Sequence, residues 1–396
     1  MADLIKISFI LGLILFLLRK KINIGYVMLI ASGVLFLIYM MPPVSIGATF
    51  KAATTSAVTI KLALALSFIR IFELILREND VLANMMIAVK AIFKNRKTVI
   101  ISMPLLIGLL PSVGGAYFSA PMVDEATRDM KMSPEEKGFI NYWFRHPWEY
   151  ILPLYPGILL ASAVSKIELY NLITANLTYA VLILITGFIF SMRGVGDGEK
   201  ATGKIAKRGL WSFLPIAAVL LPVIIFHVEL HYVLIAVVIF LLLFYRYNLK
   251  STLAALKHGF SLDVLILILG VMLFKEAMGI SGAVKNLSQF FMKEGIPILP
   301  ILFLLPFITG LLTGLTVGFV GSTFPLIISL VGSTSLGAIS LAFAAGFWGV
   351  LLSPVHICLI LTKEYFRADF WGIYKKTIPA SIIVFCAAIV EYMILS

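Results

Sequence analysis

Unbroken apolar runs of helix length follow one another along almost the whole chain, and that pattern leaves few folds open. By length they fall at roughly 4–18, 23–41, 54–76, 139–164 and 168–191, then at 209–226, 230–246, 260–279, 338–361 and 372–394. Hydrophobic residues make up 61% of the sequence and charged ones 13%, against about 45–50% and about 25% in a soluble domain. A water-soluble fold has no interior large enough to hide so much apolar surface, so the expected solvent is lipid. In hydrocarbon every backbone N–H and C=O must be paired within the protein, which admits helices or closed barrels. Barrel strands alternate apolar and polar residues over about ten positions, and these runs do not alternate. The expected class is an all-α polytopic membrane protein of the cell (inner, cytoplasmic) membrane, with the lipid bilayer as its first partner.

The charges support that reading. A net charge of +12 could suggest nucleic acid, but the basic residues sit in short loops between apolar runs, where they set topology. No nucleic-acid partner is expected. Arg19-Lys20-Lys21 follows the first run, whereas a cleavable signal peptide carries its positive charge before it. The run therefore reads as a first span, with the N-terminus outside and, after ten spans, the C-terminus outside as well. The two cysteines, Cys358 and Cys386, lie inside apolar segments and read as small core residues.

Two long apolar stretches do not fit as simple spans. At 97–127 and 296–333 the run is broken near its centre by Gly, Ser, Thr and Pro. Two half-helices of about 14 residues reach about 21 Å each, short of a hydrocarbon core of about 30 Å. Re-entrant hairpins, one from the inside and one from the outside, fit the lengths. With that layout 24 of the 32 Lys and Arg residues fall inside, while Lys6, Lys51, Lys166, Lys285 and Lys293 fall outside. Treating the first hairpin as a single crossing would scatter the basic loops over both faces.

The halves also resemble each other. Pro104 to Pro121 reads PLLIGLLPSVGGAYFSAP, and Pro306 to Pro325 reads PFITGLLTGLTVGFVGSTFP. Glu73 and Glu276 stand 31 and 30 residues before the leading prolines, and Pro156 and Pro354 follow at matching places. Each half holds five spans and one hairpin, and an odd span count inverts the second half. The expectation is two inverted-topology repeats, 1–192 and 209–396, joined by a cytoplasmic linker at 193–208. Such repeats are the architecture of many secondary transporters, with the site at midplane where broken helices meet.

Broken helices expose backbone groups that a solute or ion can use. In the first hairpin the candidates are Ser112, Gly114, Gly115 and Ser119. In the second they are Thr313, Gly314, Thr316, Gly318, Gly321, Ser322 and Thr323, and a Na+ at the hairpin tips fits the same groups. The glycines also suit tight helix packing. The fourth span opens with Arg145-His146-Pro147-Trp148-Glu149 and breaks at Pro153 to Gly157. Its counterpart breaks at Ser353-Pro354-Val355-His356. Arg145 reads first as a positive-inside anchor at the span's cytoplasmic end, and alternatively suits a substrate carboxylate. His146, Glu149 and His356 suit a coupling proton, or simply a satisfied interior. Arg70 and Glu73, three apart on one helix face, could pair with each other. Segments 78–94 and 281–293 read as interfacial helices.

The stretches GLLPSVGGAYFSAPMVDEA, NYWFRHPWEYILPLYPGILLAS and LLSPVHICLILTKEYF resemble the integral-membrane family known as domain of unknown function 401. That family looks like a branch of the ion-transporter superfamily, beside carriers for dicarboxylates, citrate, gluconate and lactate, sodium/proton antiporters and arsenite permeases. The resemblance implies a scaffold plus a mobile transport region containing both hairpins, in a homodimer. The sodium–dicarboxylate branch carries Ser-Asn-Thr at both hairpins; this chain has Phe118-Ser119-Ala120 and Gly321-Ser322-Thr323.

The expected function is secondary active transport: sodium- or proton-coupled symport of a small organic anion by alternating access, with no cofactor. A cation/proton antiporter using Glu149, His146 or Asp124 is the alternative, and an intramembrane enzyme a more distant one. No Ser/His/Asp set, paired His/Asp metal motif or phosphate-binding loop is visible at usable spacing. That argues against catalysis and against ATP-driven transport.

Overall fold

The computed structural model describes residues 2–92, 95–111, 115–192, 207–283, 286, 289, 293–295, 297–331 and 335–395. Among the described residues there are helices and no strand. Ser112 and Gly114, nearly all of the expected linker and much of 281–293 lie outside them.

The first part of the chain forms α1 (Ala2–Arg19), α2 (Ile24–Ile38), α3 (Pro43–Thr55), α4 (Ala57–Glu78) and α5 (Val81–Ile92). Then come α6 (Arg96–Ile107), α7 (Gly115–Ala126), α8 (Pro134–Trp143), α9 (Pro147–Ile151), α10 (Pro156–Ser165) and α11 (Leu169–Ser191). The remainder is α12 (Lys207–Trp211), α13 (Leu214–Ile225), α14 (Leu230–Phe244), α15 (Leu249–Gly259) and α16 (Leu262–Ile280). It closes with α17 (Leu299–Thr313), α18 (Thr316–Val331), α19 (Leu336–Leu351), α20 (Ile357–Phe366) and α21 (Phe370–Leu395).

Local chemistry explains many of the ends. Asn23, Ser56 and Asn95 accept backbone N–H bonds at the starts of α2, α4 and α6. Ser133 and Glu136 form a reciprocal capping box on α8. Pro43, Pro134, Pro147 and Pro156 stand at first helical positions, where a missing N–H is harmless. The fourth apolar run is thereby cut into α8, α9 and α10, and the ninth into α19 and α20. Two short helices, α3 and α15, occupy segments that hydropathy alone treats as loop.

Among the described residues two helices are long and apolar enough to cross a membrane: α11, with a mean hydropathy of 2.0, and α21, with 2.2. Several shorter apolar helices accompany them, including α2, α14, α17 and α19. Large apolar side chains are exposed along the outside of many helices, among them Leu37, Leu177, Phe240, Leu243 and Ile394.

Helices far apart in sequence pack closely. α2 runs against α16, and α4 against α14 and α15. α6 packs on α7, and α17 on α18. α10 lies on α18, while α20 lies on α7, so each interrupted run touches a helix from the other half of the chain. α11 and α21 both flank this centre. Near the end of α4, Glu73 faces Arg77 at 3.8 Å, while Arg70 Nη1 donates to Ser261 Oγ at 2.7 Å. The expected Arg70–Glu73 pair is thus replaced, because α16 supplies a partner for the guanidinium.

Candidate functional site

The interrupted runs place their breaks side by side. Proline at 147 cannot continue α8, so the chain turns through Phe144 to His146 before α9 begins. In the other half α19 ends at Leu351, and His356 occupies the N-cap of α20 without using its ring as a cap. The two imidazoles meet across the gap, with His146 Nε2 3.1 Å from His356 Nε2. Both are buried, at 1% and 6% exposure.

Each ring is held from behind. His146 Nδ1 bonds the Tyr142 carbonyl at 2.6 Å, and His356 Nδ1 bonds the Gly314 carbonyl at 2.7 Å. Tyr142 itself donates to the Leu351 carbonyl at 2.9 Å and sets its ring edge against both histidines. Gly314 is needed twice over. It caps α17 in the left-handed region at φ 63, and a Cβ there would stand 2.9 Å from the His356 backbone nitrogen.

The last carbonyls of a helix lack helical partners, and both halves satisfy them in the same way. At the end of α6, Trp148 Nε1 donates to Leu105 O at 2.7 Å and Tyr155 Oη to Gly108 O at 2.5 Å. At the end of α17, Ser353 Oγ donates to Leu311 O at 2.7 Å and His356 to Gly314 O. In each case the donors come from the interrupted run that follows.

Arg145 lies at the same junction with 4% exposure, and its Nε and Nη1 meet no hydrogen-bond partner among the described residues. Glu149 Oε1 stands 3.8 Å from His146 Nε2. Thr316 closes the group from α18, tight against Gly157, where a Cβ would come within 2.6 Å of the threonine Cβ. Cys358 is half-buried, and its sulfur and the two histidine nitrogens lie within 4.8 Å of one another. These three could hold a metal ion.

The structure thus brings together Arg145, His146, Glu149, Gly314, Thr316 and His356 from the sequence candidates. It places others apart. Ser119 is buried on α7 and donates to Asn141 Oδ1 at 2.6 Å. Gly115, one turn before it, is buried too. Ser322 and Thr323 are buried in α18 and bond carbonyls one turn back, Gly318 O and Phe319 O, each at 2.7 Å. Gly321 and Gly318 are buried in the same helix. Thr313 bonds Thr309 O at 2.8 Å, and Pro354 is exposed in the break.

Three residues escaped the sequence reading. Cys358 had no visible partner in the chain, and Asn141 and Tyr142 stood within an aromatic run that reads as core. Asn141 is a hub: besides accepting from Ser119 it donates to Ala116 O at 3.0 Å and to Thr362 Oγ1 at 2.9 Å. Cys386, expected in the core, is exposed. A separate cleft of ≈ 730 Å³ lies between α4, α10, α11 and the α13–α14 turn, edged by Lys61, Lys166, Glu168, Glu229 and His231. Lys61 and Glu229 bridge it at 2.7 Å.

Among curated proteins nothing matches the chain. Residues 3–395 match the model of the family described as protein of unknown function (DUF401), and the chain belongs to that family.

Proposed function

We propose that this protein is a multi-pass membrane protein built from two inverted repeats, and a secondary transporter for a small organic anion. Its exposed apolar helix faces suit a hydrocarbon solvent better than water. The crossed packing of α10 on α18 and α20 on α7 is what a two-fold exchange of halves would produce. So is the repeated use of each interrupted run to satisfy the preceding helix end. On this reading α6 with α7 and α17 with α18 are the re-entrant hairpins, and transport is by alternating access coupled to Na+ or H+.

One observation carries the substrate class: the guanidinium of Arg145, enclosed beside the two breaks, has two nitrogens without a hydrogen-bond partner among the described residues. Buried donors of a charged group left without acceptors cost about 1–3 kcal/mol or more each. A headgroup anchor would instead extend its charge to the interface. A carboxylate would accept two parallel N–H bonds from the guanidinium fork. The cleft edged by Lys61 and Lys166 suits an entry vestibule for such an anion.

Thermal unfolding of the detergent-purified protein tests this, using a panel of small carboxylates, each in sodium and in choline at matched ionic strength. A stabilising anion whose effect needs sodium identifies cargo and coupling ion together. One whose effect ignores sodium but follows pH identifies proton coupling. If no anion shifts the transition while sodium or protons alone do, the anion reading is wrong. The cation/proton antiporter then takes its place, a reading that Glu149 beside His146 favours.

A further inference from the structure

The geometry points to a buried site for one borderline-soft transition-metal ion, Zn2+ or Cu+, formed by His146, His356 and Cys358. The argument begins with protons. Each Nδ1 bonds a backbone carbonyl, and a carbonyl only accepts, so each Nδ1 must be the N–H donor. A neutral imidazole protonated at Nδ1 carries a lone pair at Nε2. The two Nε2 atoms nevertheless face each other at 3.1 Å. Two lone pairs so close repel unless a cation lies between them.

A third lone pair selects among cations. The Cys358 sulfur lies with both nitrogens inside a 4.8 Å group, and nitrogen, nitrogen and sulfur suit zinc or copper rather than sodium or magnesium. A shared proton would join the two rings but make no use of the thiol. Tetrahedral zinc with bonds of about 2.0 Å to nitrogen and about 2.3 Å to sulfur needs ligand atoms about 3.3–3.6 Å apart. The observed spacings reach that with small side-chain movements. The carbonyls behind the rings match the outer contacts that orient metal-binding histidines. Glu149, 3.8 Å from His146 Nε2, offers a carboxylate for a fourth position. The site stands independently of the transport reading.

The test is Co2+ titration of the chelator-treated, full-length protein in detergent, followed by competition with Zn2+. The expected result is about one equivalent bound, with a near-ultraviolet thiolate-to-cobalt band that zinc abolishes. Cys358→Ser should lose the band, and His356→Ala should weaken binding by at least tenfold. Cys386→Ser, at the exposed thiol, should change nothing. Identical binding by the wild type and Cys358→Ser, or no binding by the wild type at micromolar cobalt, overturns the assignment. Should a variant aggregate, zinc-edge X-ray absorption on the wild type decides alone: sulfur plus nitrogen in the first shell supports the site, and a shell without sulfur refutes it.

Discussion

Replacing Arg145 by methionine should stabilise the anion-free protein while removing its response to anions. Nε and Nη1 are buried and meet no hydrogen-bond partner among the described residues. An unsatisfied buried donor costs about 1–3 kcal/mol, more when charged. Methionine keeps the length of the stem and removes both donors, so relief on the order of 2–6 kcal/mol is available. Lost packing of the guanidinium offsets about 1 kcal/mol of it. Unfolding entropy of about 2.1 cal/mol/K per residue, taken over 396 residues, converts each kcal/mol to about 1.2 °C. The midpoint of Arg145→Met should therefore lie about 1–6 °C above that of the wild type in anion-free buffer. An anion at a hundred times its Kd stabilises the wild type by about 2.7 kcal/mol, or about 3 °C, and should leave the variant unmoved. Differential scanning fluorimetry with and without the anion gives all four values. A variant less stable than the wild type that still responds to the anion would refute the reasoning, because the guanidinium would then be a structural partner and not a ligand.

Asn141→Leu removes three hydrogen bonds that tie α7, α8 and α20 together. At about 0.6 kcal/mol each, the average in a membrane protein interior, it should lose about 2 kcal/mol, seen as a midpoint lower by a few degrees. Gly314→Ala meets both a positive φ and the His356 backbone. It should destabilise by more than the about 1 kcal/mol that a left-handed alanine alone costs, whereas Gly12→Ala, which meets nothing within 4 Å, should not. Glu135, at the start of α8, has its carboxyl held below the ordinary 4.5 chiefly by the Asp369 N–H, which it accepts at 3.1 Å. A depressed folded-state pKa means stability that is present above 4.5 and lost as the pH falls below it. The midpoint advantage of the wild type over Glu135→Gln should thus vanish in acid, and an advantage that persists there would contradict the sign.

The helical class and the places where helices stop were legible in the sequence because both are local properties. Hydropathy needs only a window of neighbours, and proline at 147 or 156 ends or starts a helix whatever surrounds it. The pairing of Gly314 with His356 was half legible: each residue stood out in a break, but nothing along the chain said that they touch. Where the sequence suggested an Arg70–Glu73 pair, packing of α16 against α4 gave Arg70 a serine instead. Ser322 and Thr323 looked like ligands by type, yet their hydroxyls bond their own helix, a choice that depends on which side of α18 is buried.

Composition and spacing by themselves determined that this chain is helical, strongly apolar and broken at four proline- or glycine-marked places. Only the tertiary structure decided that His146 and Cys358 belong to one cluster with His356, and that two nitrogens of the buried Arg145 meet no hydrogen-bond partner among the described residues. His146 and His356 are 210 positions apart, and contact at that separation is set by how helices from the two halves pack. Burial and pairing of a charge are likewise properties of the surrounding surfaces and not of the residue that carries it.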